Sequence, residues 1–149
     1  KVLTDDEINA KLKQIETSIP RTTDTPPAML NWQQVAEMKN SGFEIGGHTR
    51  SHLRLNAKAT TERIEHEVTG CAEDIQNKLN EAPCLFCYPN GDTSEKAVSI
   101  VENTFNAAVT TKSGINESDA KPFLLKRIGA HEDATNTKTK FLATLGKAV

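Results

Sequence analysis

Apolar side chains recur at helical spacing through residues 60–80, with Ile64, Val68, Cys71, Ile75 and Leu79 on one face. Pro83 interrupts this pattern and introduces Cys84-Leu85-Phe86-Cys87-Tyr88. That run is too short for a helix and, being nearly all apolar, suits a strand buried on both faces. Pro89-Asn90-Gly91 turns it, and Thr93 is placed to cap a helix carrying Ala97, Ile100, Val101 and Thr104. Strand texture returns at Phe105–Thr111 and Phe123–Ala130, while Phe43-Glu44-Ile45-Gly46 is a short strand candidate ahead of the long helix. A last amphipathic helix holds Phe141, Leu142 and Leu145. Strand and helix alternating from residue 43 onward imply parallel strands joined by right-handed crossovers. The fold class is α/β.

The first residues have a different character. Thr4 with Glu7 makes a capping box before Ile8, Leu12 and Ile15, which predicts a helix over 4–16. Pro20–Met29 is a polar, proline-rich connector. Asn31 caps a second short helix with Trp32, Val35 and Ala36, ending at Ser41-Gly42.

At 149 residues the chain has the size of one domain. Its 20 acidic residues against 18 Lys and Arg, a net of −2, argue against nucleic acid as a partner, because phosphate binding is announced by a basic excess. No apolar run reaches the ~20 residues of a membrane-spanning helix. Three cysteines close no disulfide framework. Cys84 and Cys87 form a C-x-x-C, but side chains three apart on a strand point to opposite faces, which favours two buried thiols over a shared metal or a bridge. The chain opens at Lys1 with neither a starting Met nor a signal-peptide pattern, as a processed chain or a fragment would.

His48-Thr49-Arg50-Ser51-His52 is the sharpest chemical signal. Two imidazoles four residues apart converge on one metal ion if the backbone curls between them, and they follow directly on a glycine-ended strand candidate. Active sites gather at the carboxyl ends of parallel strands. Spacing alone leaves surface or capping histidines equally open, since ligation needs a third ligand and outer support.

The surrounding residues resemble a known family. Glu44-Ile45-Gly46-Gly47-His48-Thr49-Arg50-Ser51-His52 is similar to the E-I-G-x-H-[ST]-x-x-H metal-binding motif of polysaccharide deacetylases, carbohydrate esterase family 4 or the NodB homology domain. Leu30-Asn31-Trp32-Gln33-Gln34-Val35 resembles its L-T-W-x-x-V helix, and Phe86-Cys87-Tyr88-Pro89-Asn90-Gly91 its F-x-Y-P-x-G motif. Ala107–Gly114 and Leu125–Ile128 resemble two later segments.

The resemblance implies a metal-dependent hydrolase removing N- or O-acetyl groups from a polysaccharide or oligosaccharide, built on part of a distorted (β/α) barrel. It implies a divalent cofactor, commonly zinc, with His48 and His52 as two ligands. The Asn90 N–H would stabilise the oxyanion, Thr49 would brace the loop through its hydroxyl, and Tyr88 with Pro89 would flank the sugar. His131 is a candidate general acid, or otherwise a strand-end surface residue; His66 reads as a solvated helix residue. Cys84 stands where many members place an arginine that orients the catalytic aspartate, a task Arg127 could take over. A cell-envelope or extracytoplasmic setting is likewise implied only by the family.

The opening T-F-D-D-G motif, which carries the aspartate ligand and the base, has one look-alike, Leu3-Thr4-Asp5-Asp6-Glu7. It is better explained as a capped helix start with acids in the first turn. The expectation is therefore a single deacetylase domain lacking its first strands, with a helix and connector over 1–29 and a motif-bearing core over 30–149. Unpaired sheet edges would then favour self-association. The alternative is a catalytically incomplete carbohydrate- or metal-binding remnant of the same fold.

Overall fold

The computed structural model describes residues 3–19 and 29–146; most of the Pro20–Met29 connector lies outside them. The chain divides into two units, residues 1–43 and 44–149. The first holds α1 (Asp5–Ser18) and α2 (Trp32–Asn40). Both begin with reciprocal capping boxes: Thr4 Oγ1 accepts from the Glu7 N–H, and Asn31 Oδ1 from the Gln34 N–H. The Thr4 cap shows that Leu3–Glu7 is a helix start.

The second unit runs α3 (Thr61–Leu79), β1 (Leu85–Cys87), α4 (Glu95–Thr104), β2 (Ala107–Ser113), β3 (Leu125–Arg127), α5 (Glu132–Thr135) and α6 (Lys138–Gly146). The three strands form a parallel sheet in the order β1-β2-β3. Leu85, Phe86 and Cys87 stand opposite Ala107, Ala108 and Val109. The pairing of β2 with β3 is irregular between Val109 and Ser113. On α3 all five residues of the expected stripe, Ile64, Val68, Cys71, Ile75 and Leu79, are buried.

The core lies between α3, α4 and one face of the sheet. Ile64 and Val68 meet Phe86 and Tyr88 of the β1 segment, Ala97 and Val101 of α4, and Phe105 and Ala108 leading into β2. Phe86 is the hub of the aromatic packing, with Phe105 at 5.0 Å and Tyr88 edge-on at 5.3 Å. Leu53 and Leu55, just beyond the histidine pair, also plug into this core.

Several sequence expectations are corrected. Residues 43–46 form no strand; a single parallel bridge joins Gly47 to Phe86, because only Gly47 offers both its N–H and its carbonyl to β1. The β1 run is not buried on both faces: Phe86 and Tyr88 point into the core, whereas Leu85 is 45% exposed on the other side. Crossover alternation ends after β2, since residues 114–124 are turns without a helix, and the last strand shrinks to Leu125–Arg127. Ser94 rather than Thr93 caps α4, accepting from the Ala97 N–H. Helix α6 is present, but none of its residues is buried. Among the described residues the sheet is open, not a closed barrel, and no helix is long and apolar enough to cross a membrane.

Gly47 is where the packing tolerates least. A Cβ there would meet Phe105 Cζ at 2.7 Å and Phe86 Cδ2 at 3.1 Å. Gly47→Ala is expected to destabilise the chain by about 1–3 kcal/mol through overpacking, read as a lower denaturant midpoint with an unchanged slope.

Candidate functional site

The site begins at the Gly47 bridge. The Gly47 N–H donates to Leu85 O at 2.8 Å, and the Cys87 N–H donates to Gly47 O at 2.9 Å. The next ring, His48, donates its Nδ1–H to Cys87 O at 2.6 Å. Since a carbonyl only accepts, that bond places a proton on Nδ1, so that in the neutral ring the lone pair is on Nε2. Thr49 (φ 64) and His52 (φ 60) are both left-handed, a conformation uncommon for β-branched residues in particular. The curl brings the exposed His48 and His52 rings to a centroid distance of 4.9 Å, edge to face.

Helix α3 supports this loop from beneath. The Ser51 N–H and Oγ–H donate to the two carboxylate oxygens of Glu67 at 2.7 and 2.6 Å. Arg50 forms a bidentate pair with Asp74 at 2.7 and 2.8 Å. Its guanidinium crosses α3 at Gly70, where a Cβ would come within 2.2 Å of Nη1. The pair lowers the Asp74 pKa and raises that of Arg50, in both through their shared hydrogen bonds first. His66 is exposed as expected but not merely solvated, since its carbonyl accepts from Arg50 Nη1 at 3.4 Å. The buried Cys71 thiol also reaches the His48 backbone, and burial pushes its pKa up. The sequence reading missed Glu67, Asp74, Gly70, Leu53 and Leu55. The available signal was the spacing Glu67, Gly70, Cys71, Asp74, which is one helical face.

The other expected site residues fall out differently. Asn90 is exposed and left-handed (φ 55) in the Pro89–Gly91 turn. That turn closes with the Gly91 and Asp92 N–H groups donating to Tyr88 O and Pro89 O, and neither bond uses the Asn90 N–H. Tyr88 and Pro89 are fully buried, so their place beside a sugar is corrected: the Tyr88 ring is core, because it packs on Phe86. Thr49 Oγ1 is buried without a hydrogen-bond partner, so the expected hydroxyl brace is corrected as well; Glu67 and Arg50 supply the bracing instead. Arg127 Nη1 donates to Cys87 Sγ at 3.6 Å, which puts it beside the residue that grips His48. His131 caps the short α5 with its ring against Gly129 and joins no cluster with the histidine pair. Cys84 and Cys87 are both free thiols, but their expected burial is corrected: Cys84, ahead of β1, is exposed, and Cys87 is half-buried because the β1 face opposite the core is left open.

The histidine pair fits a metal ion in chemistry and spacing. Two imidazoles bound tetrahedrally at Zn–N distances of ~2.0–2.1 Å would have centroids roughly 5 Å apart. The His48 ring is held through Nδ1 by an outer carbonyl, as the rings of metal-binding histidines are. Among the described residues no third His, Cys, Asp or Glu joins them.

A parallel sheet covered by helices, with the histidine loop leaving from the Gly47 bridge at its edge, defines a scaffold of the α/β class. Residues 1–108 match the family model described as polysaccharide deacetylase, and the chain belongs to that family, carbohydrate esterase family 4. Over 100 residues it is 28% identical to YxkH of Bacillus subtilis strain 168, named for polysaccharide deacetylation, covering 66% of this chain and 36% of YxkH. Its fold is similar to that of the Streptococcus pyogenes deacetylase PplD solved with acetate, with a TM-score of 0.70 and 24% identity over 78% of this chain and 50% of that one. A Bacillus cereus polysaccharide deacetylase gives 0.68 and 22% over 91% and 47%. At these identities the two structures speak for the fold. The chain spans about a third of YxkH and half of the solved deacetylases.

The unpartnered Tyr88 hydroxyl yields a prediction. Burial raises its pKa well above the ordinary value of about 10. The unfolded chain therefore loses that proton first, and stability falls as pH rises past about 10. Tyr88→Phe is expected to be neutral or stabilising at pH 7, because it removes an unsatisfied buried polar atom. It should also reduce the alkaline loss; urea midpoints at pH 7 and pH 10.5 check both.

Proposed function

We propose that this chain carries part of the active site of a metal-dependent deacetylase, with His48 and His52 holding a divalent ion, zinc by the chemistry of the donors. The observation that supports it is the 4.9 Å imidazole pair with His48 Nδ1 committed to the Cys87 carbonyl. Neutral imidazole nitrogen suits zinc. When bound, such an ion supplies a water of lowered pKa and polarises the acetyl carbonyl.

The chain's own groups then have separate tasks. His48 and His52 hold the ion, and the Cys87 carbonyl keeps the His48 tautomer fixed. The Asn90 N–H, which neither turn-closing bond uses, would donate to the oxygen that gains charge as the acetyl carbon is attacked. Arg127 acts through Cys87 as a positioning residue, steadying the strand end that orients His48. The substrate class is an N- or O-acetylated polysaccharide or oligosaccharide, following the family.

Metal analysis of the purified chain after equilibration with Zn2+ tests the reading, together with acetate release from acetylated chitooligosaccharides and acetylxylan. Stoichiometric zinc that is lost in His48→Ala and in His52→Ala is the expected outcome, and acetate released by the parent chain would show that these residues complete the site. Zinc without acetate would instead favour the catalytically incomplete carbohydrate- or metal-binding remnant. A parent chain that takes up no zinc would sink the metal reading.

A further inference from the structure

Glu67 is 6% exposed, a buried charge at the centre of α3. Carboxylates leave water at a large cost unless hydrogen bonds replace it. Both of its oxygens accept from Ser51, at 2.7 Å from the N–H and 2.6 Å from Oγ. Ser51 immediately precedes His52, where the backbone turns left-handed. The support is rigid: α3 is capped at Thr60, closes at the left-handed Asn80, and has its apolar face in the core. The neighbouring Arg50–Asp74 pair is more exposed, at 30% and 45% of its side chains, and so contributes less to holding the loop.

We propose that Glu67 is the positioning residue of the histidine loop. By clamping the N–H and hydroxyl of Ser51, its carboxylate fixes the direction in which the chain enters His52, and thereby the separation of the two imidazoles. The proposal takes its ligand, a divalent cation, from the metal reading above; its geometry rests on the Ser51 contacts alone. A glutamine at this position keeps both contacts, since its carbonyl oxygen accepts from the Ser51 N–H and its amide donates to the Ser51 hydroxyl. Positioning therefore survives loss of the charge, whereas alanine removes both contacts.

The test uses the full chain, with Zn2+ affinity by calorimetry, the visible spectrum with Co2+, and 1H–13C ring correlations of His48 and His52 without metal. Glu67→Ala is expected to weaken Zn2+ binding by about ten- to hundredfold, to change the Co2+ spectrum, and to move the metal-free His52 ring signals. Glu67→Gln should stay near the parent in all three. Ser51→Ala, which leaves α3 untouched and deletes one contact, should lose less affinity than Glu67→Ala, and it replaces that variant if Glu67→Ala does not fold. Unchanged Zn2+ binding and unmoved ring signals in the alanine variant would overturn the proposal, as would a glutamine variant as impaired as alanine. If the parent binds no Zn2+, the metal reading fails by itself, and the ring signals decide for Glu67: movement in alanine with rescue by glutamine supports it, and no movement overturns it.

Discussion

The backbone of Cys87 holds the site together. Its N–H closes the parallel bridge to Gly47, and its carbonyl receives the proton of the His48 ring. One residue of β1 thus sets both where the loop leaves the sheet and which nitrogen of His48 stays free. The bridge forms because Gly47 lets the chain pass against Phe105 and Phe86, a gap with no room for a Cβ. Since the same Phe86 is the centre of the core, hydrophobic packing and imidazole orientation are parts of one arrangement.

Left-handed turns at Thr49 and His52 are unfavourable conformations, of order 1–3 kcal/mol each. They persist because the loop is tethered at several points along its length. His48 is tied to β1, Arg50 and Ser51 are tied to α3, and Leu53 and Leu55 are sunk in the core. Such over-determination means that the fold bears the strain of the loop, which is what the proposed ligand pair would require of it. Arg127 of β3 touches Cys87 Sγ and not the loop, so the direct tethers come from β1, α3 and the core.

Much of this was legible in the sequence. The α3 stripe, the caps at Thr4 and Asn31, and the parallel sense of the strands follow from local periodicity, cap chemistry and the alternation of elements, which are read a few positions at a time. The histidine pair was legible because its motif is contiguous. Less legible were Glu67 and Asp74, which read as solvent-facing acids on an amphipathic helix until the loop is folded across them. Tyr88 was misjudged for a related reason: alternation along a strand assigns it a face but not what covers that face, and α3 covers it. The strand predicted over 43–46 fails because a strand exists only through its neighbours, and only Gly47 meets one here.

The sequence by itself determined the α/β class, the helix boundaries near their caps, and the family to which the residues around His48 and His52 point. The tertiary structure alone decided which nitrogen of His48 is free, how near the two rings lie, and which acids of α3 reach the loop. The physical reason is range. Capping and amphipathicity are settled within a turn or two of chain, whereas the Cys87–His48 and Glu67–Ser51 contacts join residues 39 and 16 apart and exist only once the core has brought their elements together.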